Sequence, residues 1–240
     1  MKNYITPNLR LYPHMLQTLH GALNLLLDLL LPHRCFGCRR SGAILCEGCA
    51  RDRELGAPLD APDTYALFAY HDPVVRRMIW ALKYRGIQAV GENLGARLYD
   101  HLTEDLADAS LFGGGDPHFI VIPIPLAATR ARERGYNQAT AIARGFVGRA
   151  NRRGHENFTL IENLLRRDRD TGSQTAIKAR RARLANVRGV FAVVEGVAVR
   201  GKQIIIVDDV ITTGGTTNAA RHALEAAGAK IVIAAALAHG

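Results

Sequence analysis

The stretch Ile204-Ile-Ile-Val-Asp-Asp-Val-Ile-Thr-Thr-Gly-Gly-Thr-Thr217 decides the fold. The run Gln203 to Val207, apolar from Ile204 onward, reads as a strand covered on both faces, as in the interior of a parallel sheet. It runs into two adjacent carboxylates, Asp208 and Asp209, and a Thr/Gly loop then opens a helix expected over Thr216 to Ala227. At the carboxyl end of such a strand the chain leaves the sheet into a ligand crevice. The N–H groups of the loop and of the helix N-terminus form an anion hole suited to a phosphate. Gly214 and Gly215 permit close approach of the backbone, and Thr212, Thr213, Thr216 and Thr217 offer hydroxyl donors. The two carboxylates can accept hydrogen bonds from vicinal hydroxyls, as on a ribose, or hold a hydrated Mg²⁺. The stretch has neither the Lys of a Walker loop nor a GxGxxG run, which argues against ATPase and dinucleotide readings.

Outward from this centre, β-rich and helical runs alternate from Thr64 to the C-terminus. That is the pattern of an α/β domain with a mainly parallel sheet flanked by helices. Strands are expected at Tyr65 to Tyr70, Phe119 to Ile124, Phe158 to Leu164 and Gln203 to Val207, with Ile231 to Ala236 closing the sheet. Helices are expected at Val74 to Tyr84, Gly91 to Leu106, Asn137 to Arg149 and Ser173 to Leu184, besides the one after the loop. Leu55 to Asp63, with Gly56, Pro58 and Pro62, reads as a linker. The expected organisation is a loose 1–15, a helix plus cysteine segment over 16–54, and the α/β domain over 64–240.

Ahead of the linker stand the only four cysteines, Cys35-Phe-Gly-Cys38 and Cys46-Glu-Gly-Cys49. Two CxxC pairs so close together can bring four thiolates around one tetrahedral ion, a small zinc ribbon. Gly37 and Gly48 let the chain turn so that N–H groups face the sulfurs. The alternative is a pair of disulfides, which a reducing cytosol disfavours. A site closed by four cysteines is structural. Leu16, Leu19, Leu23, Leu26, Leu27 and Leu30 recur at helical spacing, so an amphipathic helix precedes the cysteines. The apolar run Ala22 to Leu31 is too short to span a bilayer, and Pro32, His33 and Arg34 follow it where a signal peptide would have small residues. A cytoplasmic location without membrane insertion is the expectation.

Lys and Arg number 31 against 22 Asp and Glu, a net +9. Fifteen basic and five acidic residues fall between Leu126 and Val190, so this one stretch holds the whole surplus. An anionic partner for it and a merely solvated Arg-rich face are both open readings. Lys83, Tyr84 and Arg85 could stack on and pair with single-stranded DNA, or the helix around Ile79, Trp80 and Leu82 could simply be anchored there. Tyr136, Asn137 and Gln138 either cap the following helix or read a ligand.

The run Ile204 to Thr216 resembles the phosphoribosyl pyrophosphate (PRPP) signature of type I phosphoribosyltransferases. Other features resemble the ComF/GntX family of competence proteins: the leucine-rich helix leading into a four-Cys segment and Ile79-Trp-Ala-Leu-Lys-Tyr-Arg-Gly86. So do Pro123-Ile-Pro-Leu126 followed by Arg130, Arg132, Arg134, Gly135, Tyr136, Asn137 and Gln138, and then Thr171, Gln174, Arg183 and Asn186. The resemblance covers roughly Leu23 to the C-terminus. It implies that Asp208 and Asp209 bind the ribose hydroxyls and that Thr212, Thr213, Gly214, Gly215 and Thr216 bind the 5′-phosphate. It implies further that Leu126 to Arg130 forms a pyrophosphate loop and that Arg166 to Gln174 belongs to a flap closing over it. Arginine suits both places because its planar fork binds phosphate oxygens bidentately.

The implied cofactors are structural Zn²⁺ on Cys35, Cys38, Cys46 and Cys49, and Mg²⁺ with PRPP. The implied partners are PRPP, other competence or DNA-translocation proteins, and single-stranded DNA, held by Lys83, Arg85, Arg180, Arg181 and Arg183. In purine-salvage relatives an Asp commonly occupies the third position after the acidic pair as a base for the nucleobase. Here Thr212 stands there, and no hood for a nucleobase is evident. Two functions are therefore carried forward. One is a ComF-type protein that binds PRPP with Mg²⁺ and single-stranded DNA and supports DNA uptake. The other is an active phosphoribosyltransferase, a glycosyltransferase in nucleotide metabolism, with Asp208 and Asp209 at its catalytic centre.

Overall fold

A computed structural model describes residues 33–53, 56, 63–108, 118–167, 190–194 and 198–240. The expected leucine-rich helix, the loose 1–15 and the helix at Ser173 to Leu184 lie outside the described residues. The chain divides into two compact units, Met1–Cys49 and Ala50–Gly240. The described part of the first unit is a tight double turn. Arg34 bridges Ser41, and the N–H of Cys35 donates to the carbonyl of Arg40 at 2.8 Å. A short helix α1 (Glu47–Arg51) opens at its end.

The second unit holds a five-stranded sheet with all neighbours parallel, in the order β1 (Thr64–Ala69), β7 (Ile231–His239), β6 (Gln203–Ile211), β2 (Phe119–Pro123), β3 (Phe158–Leu160). Its helices are α2 (Pro73–Tyr84), α3 (Gln88–Asp108), α4 (Ala128–Arg134), α5 (Gln138–Arg152) and α6 (Gly215–Ala226). One face of the sheet packs Ile120, Ile122, Ile204, Ile206 and Val232 against Ala219, Ala220 and Leu224 of α6. Helices α3 and α5 pack on each other and, with α5 against β6, β2 and β3, cover the sheet from elsewhere. They approach closely because Gly95 faces the carbonyl of Ile142 and Gly145 that of Glu92, where a Cβ would overlap. Where the central strands are covered on both faces they are apolar, as over Ile204 to Val207 of β6.

Four expectations change. Phe158 to Leu164 is not one strand: β3 ends at Leu160, the chain turns, and β4 (Leu165–Arg167) pairs antiparallel with β5 (Phe191–Val193) in a separate two-stranded ribbon. The last strand does not close the sheet at its edge, because β7 inserts between β1 and β6. Strand β6 continues past Val207 through the acidic pair to Ile211, since Ala236, Ala238 and His239 of β7 give those residues ladder partners. The segment expected as a pyrophosphate loop is irregular only to Ala127 and then forms α4, whose Ala and Arg residues favour a helix.

Candidate functional site

Strands β2 and β6 are neighbours, yet the chain leaves them in opposite directions, toward β3 and toward β7. A crevice opens at the carboxyl ends of such a pair, and the acidic pair stands there. Successive side chains of a strand face opposite sides, so the two carboxylates diverge. Asp209 is buried, 4% exposed, and its Oδ1 lies 2.7 Å from Lys83 Nζ of α2. Its Oδ2 is buried without a hydrogen-bond partner. Asp208 accepts the N–H of Asp209 at 2.8 Å. Loss of solvation, then the neighbouring Asp209 charge, push its carboxyl up to about 7, opposed by that N–H, Lys83 and Arg167. A buried, unpartnered carboxylate oxygen beside a carboxyl that gives up its proton only near neutrality fits a cation arriving with a ligand. The donor set therefore suits Mg²⁺.

Gly214 has φ 72°, the left-handed conformation that glycine adopts without strain, and it opens α6 with no side-chain cap. Thr212, Thr213, Gly215 and Thr216 are exposed. The helix N–H groups, left without an internal partner, thus face open solvent beside the acidic pair. Thr217 is the exception to the expected donors: it is 3% exposed and packs into the core side of α6.

The loop after β2 is anchored by Asn137. Its Nδ2 donates to the carbonyl of Ile124 at 2.9 Å, while its Oδ1 accepts from Ala139 N at 3.1 Å and caps α5. Arg134 Nη1 donates to the buried Gln138 Oε1 at 2.9 Å, and its guanidinium lies 5.3 Å from the centroid of the Tyr84 ring. These residues hold the site's frame. Burial holds the Tyr136 phenol above its usual range, Arg134 opposes this, and the Asp209 charge adds to it; the phenol oxygen is buried without a partner. Lys83, Tyr84, Arg130, Glu133, Arg134 and Tyr136 line a cleft of about 460 Å³ next to Asp209.

Of the residues singled out in the sequence, Arg130 borders this cleft, and Lys83 joins Asp209 instead of lying open for a nucleic acid. Arg166 is exposed on β4, while the charge of its neighbour Arg167 reaches Asp208. Arg85 is exposed at the end of α2. Arg180, Arg181 and Arg183 lie outside the described residues, as do Thr171, Gln174 and Asn186. Arg149 and Arg153 pair with Asp100, at 2.9 Å and 3.4 Å, so part of the basic surplus is neutralised within the fold. Lys83 in the role it takes here, and Arg167, were not anticipated; no local sequence signal ties either to the acidic pair.

In the first unit the sulfurs of Cys35, Cys38, Cys46 and Cys49 lie within 4.8 Å of one another. The Cys35–Cys46 and Cys38–Cys46 separations are 3.7 Å and 3.6 Å. A tetrahedron of sulfurs about 2.3 Å from a central ion has edges of about 3.8 Å. A disulfide needs sulfurs at about 2.05 Å, and none of the four cysteines is in a disulfide. Burial raises the Cys35 thiol, but the N–H groups of Cys46, Cys38 and Gly37 bring it down to about 6. Cys49 is pushed up to about 12, chiefly by its hydrogen bond with Cys46. A Cβ on Gly37 would meet Cys49 Sγ at 2.6 Å, so only glycine fits there. With this spacing the four sulfurs could hold one metal ion.

Residues 133–240 match the family model of the phosphoribosyl transferase domain. The fold and the loop after β6 thus define a type I phosphoribosyltransferase-like domain. Over 161 residues the chain is 27% identical to the competence protein ComFC of Bacillus subtilis (strain 168), which covers 67% of this chain and 57% of that protein. The domain is accordingly ComF-like, and the chain spans a little over half of the curated relative it matches. Among solved structures, the glutamine phosphoribosylpyrophosphate amidotransferase from B. subtilis is 22% identical, covering 60% of this chain and 25% of its own, with a TM-score of 0.37. A hypoxanthine phosphoribosyltransferase from Staphylococcus aureus is 12% identical, with 60% and 61% covered and a TM-score of 0.36. Among the described residues no helix is long and apolar enough to cross a membrane.

Proposed function

We propose that the protein binds PRPP with Mg²⁺ at the carboxyl end of β6 and, together with single-stranded DNA, supports DNA uptake in natural transformation from the cytoplasmic side. The observation that carries the PRPP reading is the acidic pair followed by an exposed Gly/Thr loop that opens α6. In this reading the loop, Thr212 to Thr216, takes the 5′-phosphate, and Asp208 and Asp209 take the ribose hydroxyls and Mg²⁺. Arg130 and Arg166 face the pyrophosphate. The four cysteines hold a structural Zn²⁺. The competence role draws on the likeness to ComFC. The nucleic-acid role draws on the basic surplus between Leu126 and Val190, reduced by the pairs that Arg149 and Arg153 make, with Arg85, Arg180, Arg181 and Arg183 as its contacts and Lys83 at its border.

The second reading is an active transferase. The bond from ribose C1 to the pyrophosphate oxygen breaks and its electron pair leaves with pyrophosphate. A lone pair of the acceptor then forms the new bond to C1, and the acceptor's proton passes to solvent, since Thr212 offers no base. Calorimetric titration with PRPP and Mg²⁺ tests the first reading: saturable binding, abolished in Asp208→Asn plus Asp209→Asn, is expected. Binding that survives the double change overturns the site. Pyrophosphate release across a panel of bases separates the readings, because turnover with one acceptor establishes the transferase. Single-stranded DNA affinity should fall steeply with salt and less steeply once Arg180, Arg181 and Arg183 are neutralised. A slope unchanged by these substitutions removes the assigned contacts.

A further inference from the structure

Lys83 stands in the last turn of α2, and the chain turns away from the helix at Gly86, where φ is 66°. Its ammonium meets Asp209 Oδ1 at 2.7 Å, with the two side chains 20% and 6% exposed. A pair this sheltered from water is costly to open, because a charge left behind stays buried and unpaired. Yet the pair is unbalanced. One positive charge serves two adjacent carboxyl groups, and Asp209 Oδ2 is buried without a partner. A divalent ion would bring a second charge and take oxygens as its ligands. The place beside Asp209 that such an ion needs is held by Lys83.

The two partners differ in their freedom to move. Asp209 lies within β6, whose register with β7 runs on both sides of it, through Asp208 and Val210. Lys83 has a flexible four-carbon stem and borders two clefts. One, of about 460 Å³, it shares with Arg130, Glu133 and Arg134; the other, of about 620 Å³, with Tyr70 and Trp80. Lys83 is therefore the partner that moves. A metal ion arriving alone would leave the ammonium beside a cleft in which Arg130 and Arg134 outnumber Glu133. A metal ion arriving on an anionic ligand supplies the ammonium with a new partner at the same moment.

We infer that Lys83 is the resident counter-ion of Asp209 and yields it to a divalent cation carried by an anionic ligand. The exchange makes Lys83 a selectivity residue: it holds off the free metal ion and admits the metal chelate. As selectivity for PRPP with Mg²⁺ this rests on the PRPP reading of the acidic pair; as exclusion of free metal it stands on Lys83 and Asp209 alone.

Manganese serves as the probe, because the spin-resonance signal of its aqueous ion reads how much stays unbound. The full chain is titrated with Mn²⁺ after zinc has been added for its four cysteines. Lys83→Met removes the charge and should bind Mn²⁺ about tenfold or more tightly than the unmodified protein. Lys83→Arg, which keeps the charge, should stay close to the unmodified protein. Adding Asp209→Asn to Lys83→Met should abolish the gain. Calorimetry with PRPP and Mg²⁺ should show no gain in Lys83→Met, since the chelate loses its contact with the ammonium. Mn²⁺ affinity unchanged or weakened in Lys83→Met, or a gain that survives Asp209→Asn, overturns the proposal. An equal gain for the PRPP complex overturns the selectivity. A further measurement needs no variant: lysine acylation, read by mass spectrometry, should quicken at Lys83 once Mn²⁺ saturates the unmodified protein, with the exposed Lys202 and Lys230 unchanged. Acylation of Lys83 that ignores the metal overturns the displacement. Absence of PRPP binding in the unmodified protein, with the Mn²⁺ gain retained, overturns the PRPP reading and leaves the counter-ion in place.

Discussion

The two edges of the same sheet are built on opposite principles. At the amino-terminal edge Phe119 and Phe158 sit opposite each other in the ladder, and their rings stack 5.4 Å apart. Tyr99 meets Phe146 and Phe158 edge-on, and its hydroxyl is hydrogen-bonded to His155 Nδ1. Here the rings are packed and the Tyr99 hydroxyl has its partner. At the carboxyl edge Asp209 Oδ2 and the Tyr136 hydroxyl are buried without partners, and Asp208 is held near neutrality. Buried polar atoms left unpaired are destabilising by about 1–3 kcal/mol each. The contrast teaches that one edge supplies stability which the other spends on readiness for a ligand.

The largest effect should come from the carboxyl edge. Asp208→Asn plus Asp209→Asn removes acceptors for charged hydrogen bonds worth about 1.5–3 kcal/mol each, so PRPP affinity should fall by roughly a hundredfold or more. The melting temperature should change by only a few degrees, because relief of the repelling pair opposes loss of the Lys83–Asp209 ion pair; calorimetry and thermal unfolding read the two effects separately. A loss of stability as large as that of a core truncation would break the contrast. Phe158→Ala at the other edge should do the reverse, lowering stability by about 3–5 kcal/mol, or roughly 10 °C, with PRPP affinity nearly unchanged. Asn137→Ala straddles both, since it loses a helix cap and the tie to Ile124. A fall of about 1–2 kcal/mol in chemical denaturation, with several-fold weaker PRPP binding, is expected.

The smallest effect is that of pH. Asp208 has its folded pKa, about 7, above the 3.8 of an unfolded carboxylate. It therefore favours the folded state fully below about pH 4, and that contribution is lost as pH rises through about 7. PRPP binding needs the ionised form and should strengthen over the same window. Thermal unfolding of the free protein from pH 6 to 8 should thus move opposite to affinity, and Asp208→Asn should flatten both trends. Parallel trends would show that Asp208 is not the titrating group.

The carboxyl edge was legible where chemistry is local. A strand, two acids and a Gly/Thr loop lie within fourteen residues, and the parallel sheet follows from their order. The four-cysteine cluster was legible for the same reason. What involved distant partners was not. Lys83 meets Asp209 only because α2 packs where the topology places it, and the β4–β5 ribbon joins segments on either side of a long intervening stretch. Periodicity marks Phe158 to Leu164 as extended but cannot say that it breaks between two sheets. Nor could chain order reveal that β7 enters the middle. The helix α4 did have a signal in Ala128 to Arg134, which a functional reading as a loop overrode.

The position of β7 also bears on how the protein is made. Among the described residues β1 has β7 as its only neighbour in the sheet, and β7 is the last strand described. During synthesis β1 must therefore wait, unpaired, until residues 231–239 have left the ribosome. Pairing of such distant segments makes for slow folding and a long-lived exposed edge. A nascent chain stalled shortly before β7 would hold a complete PRPP signature and still lack half the ladder that keeps its acidic pair in place.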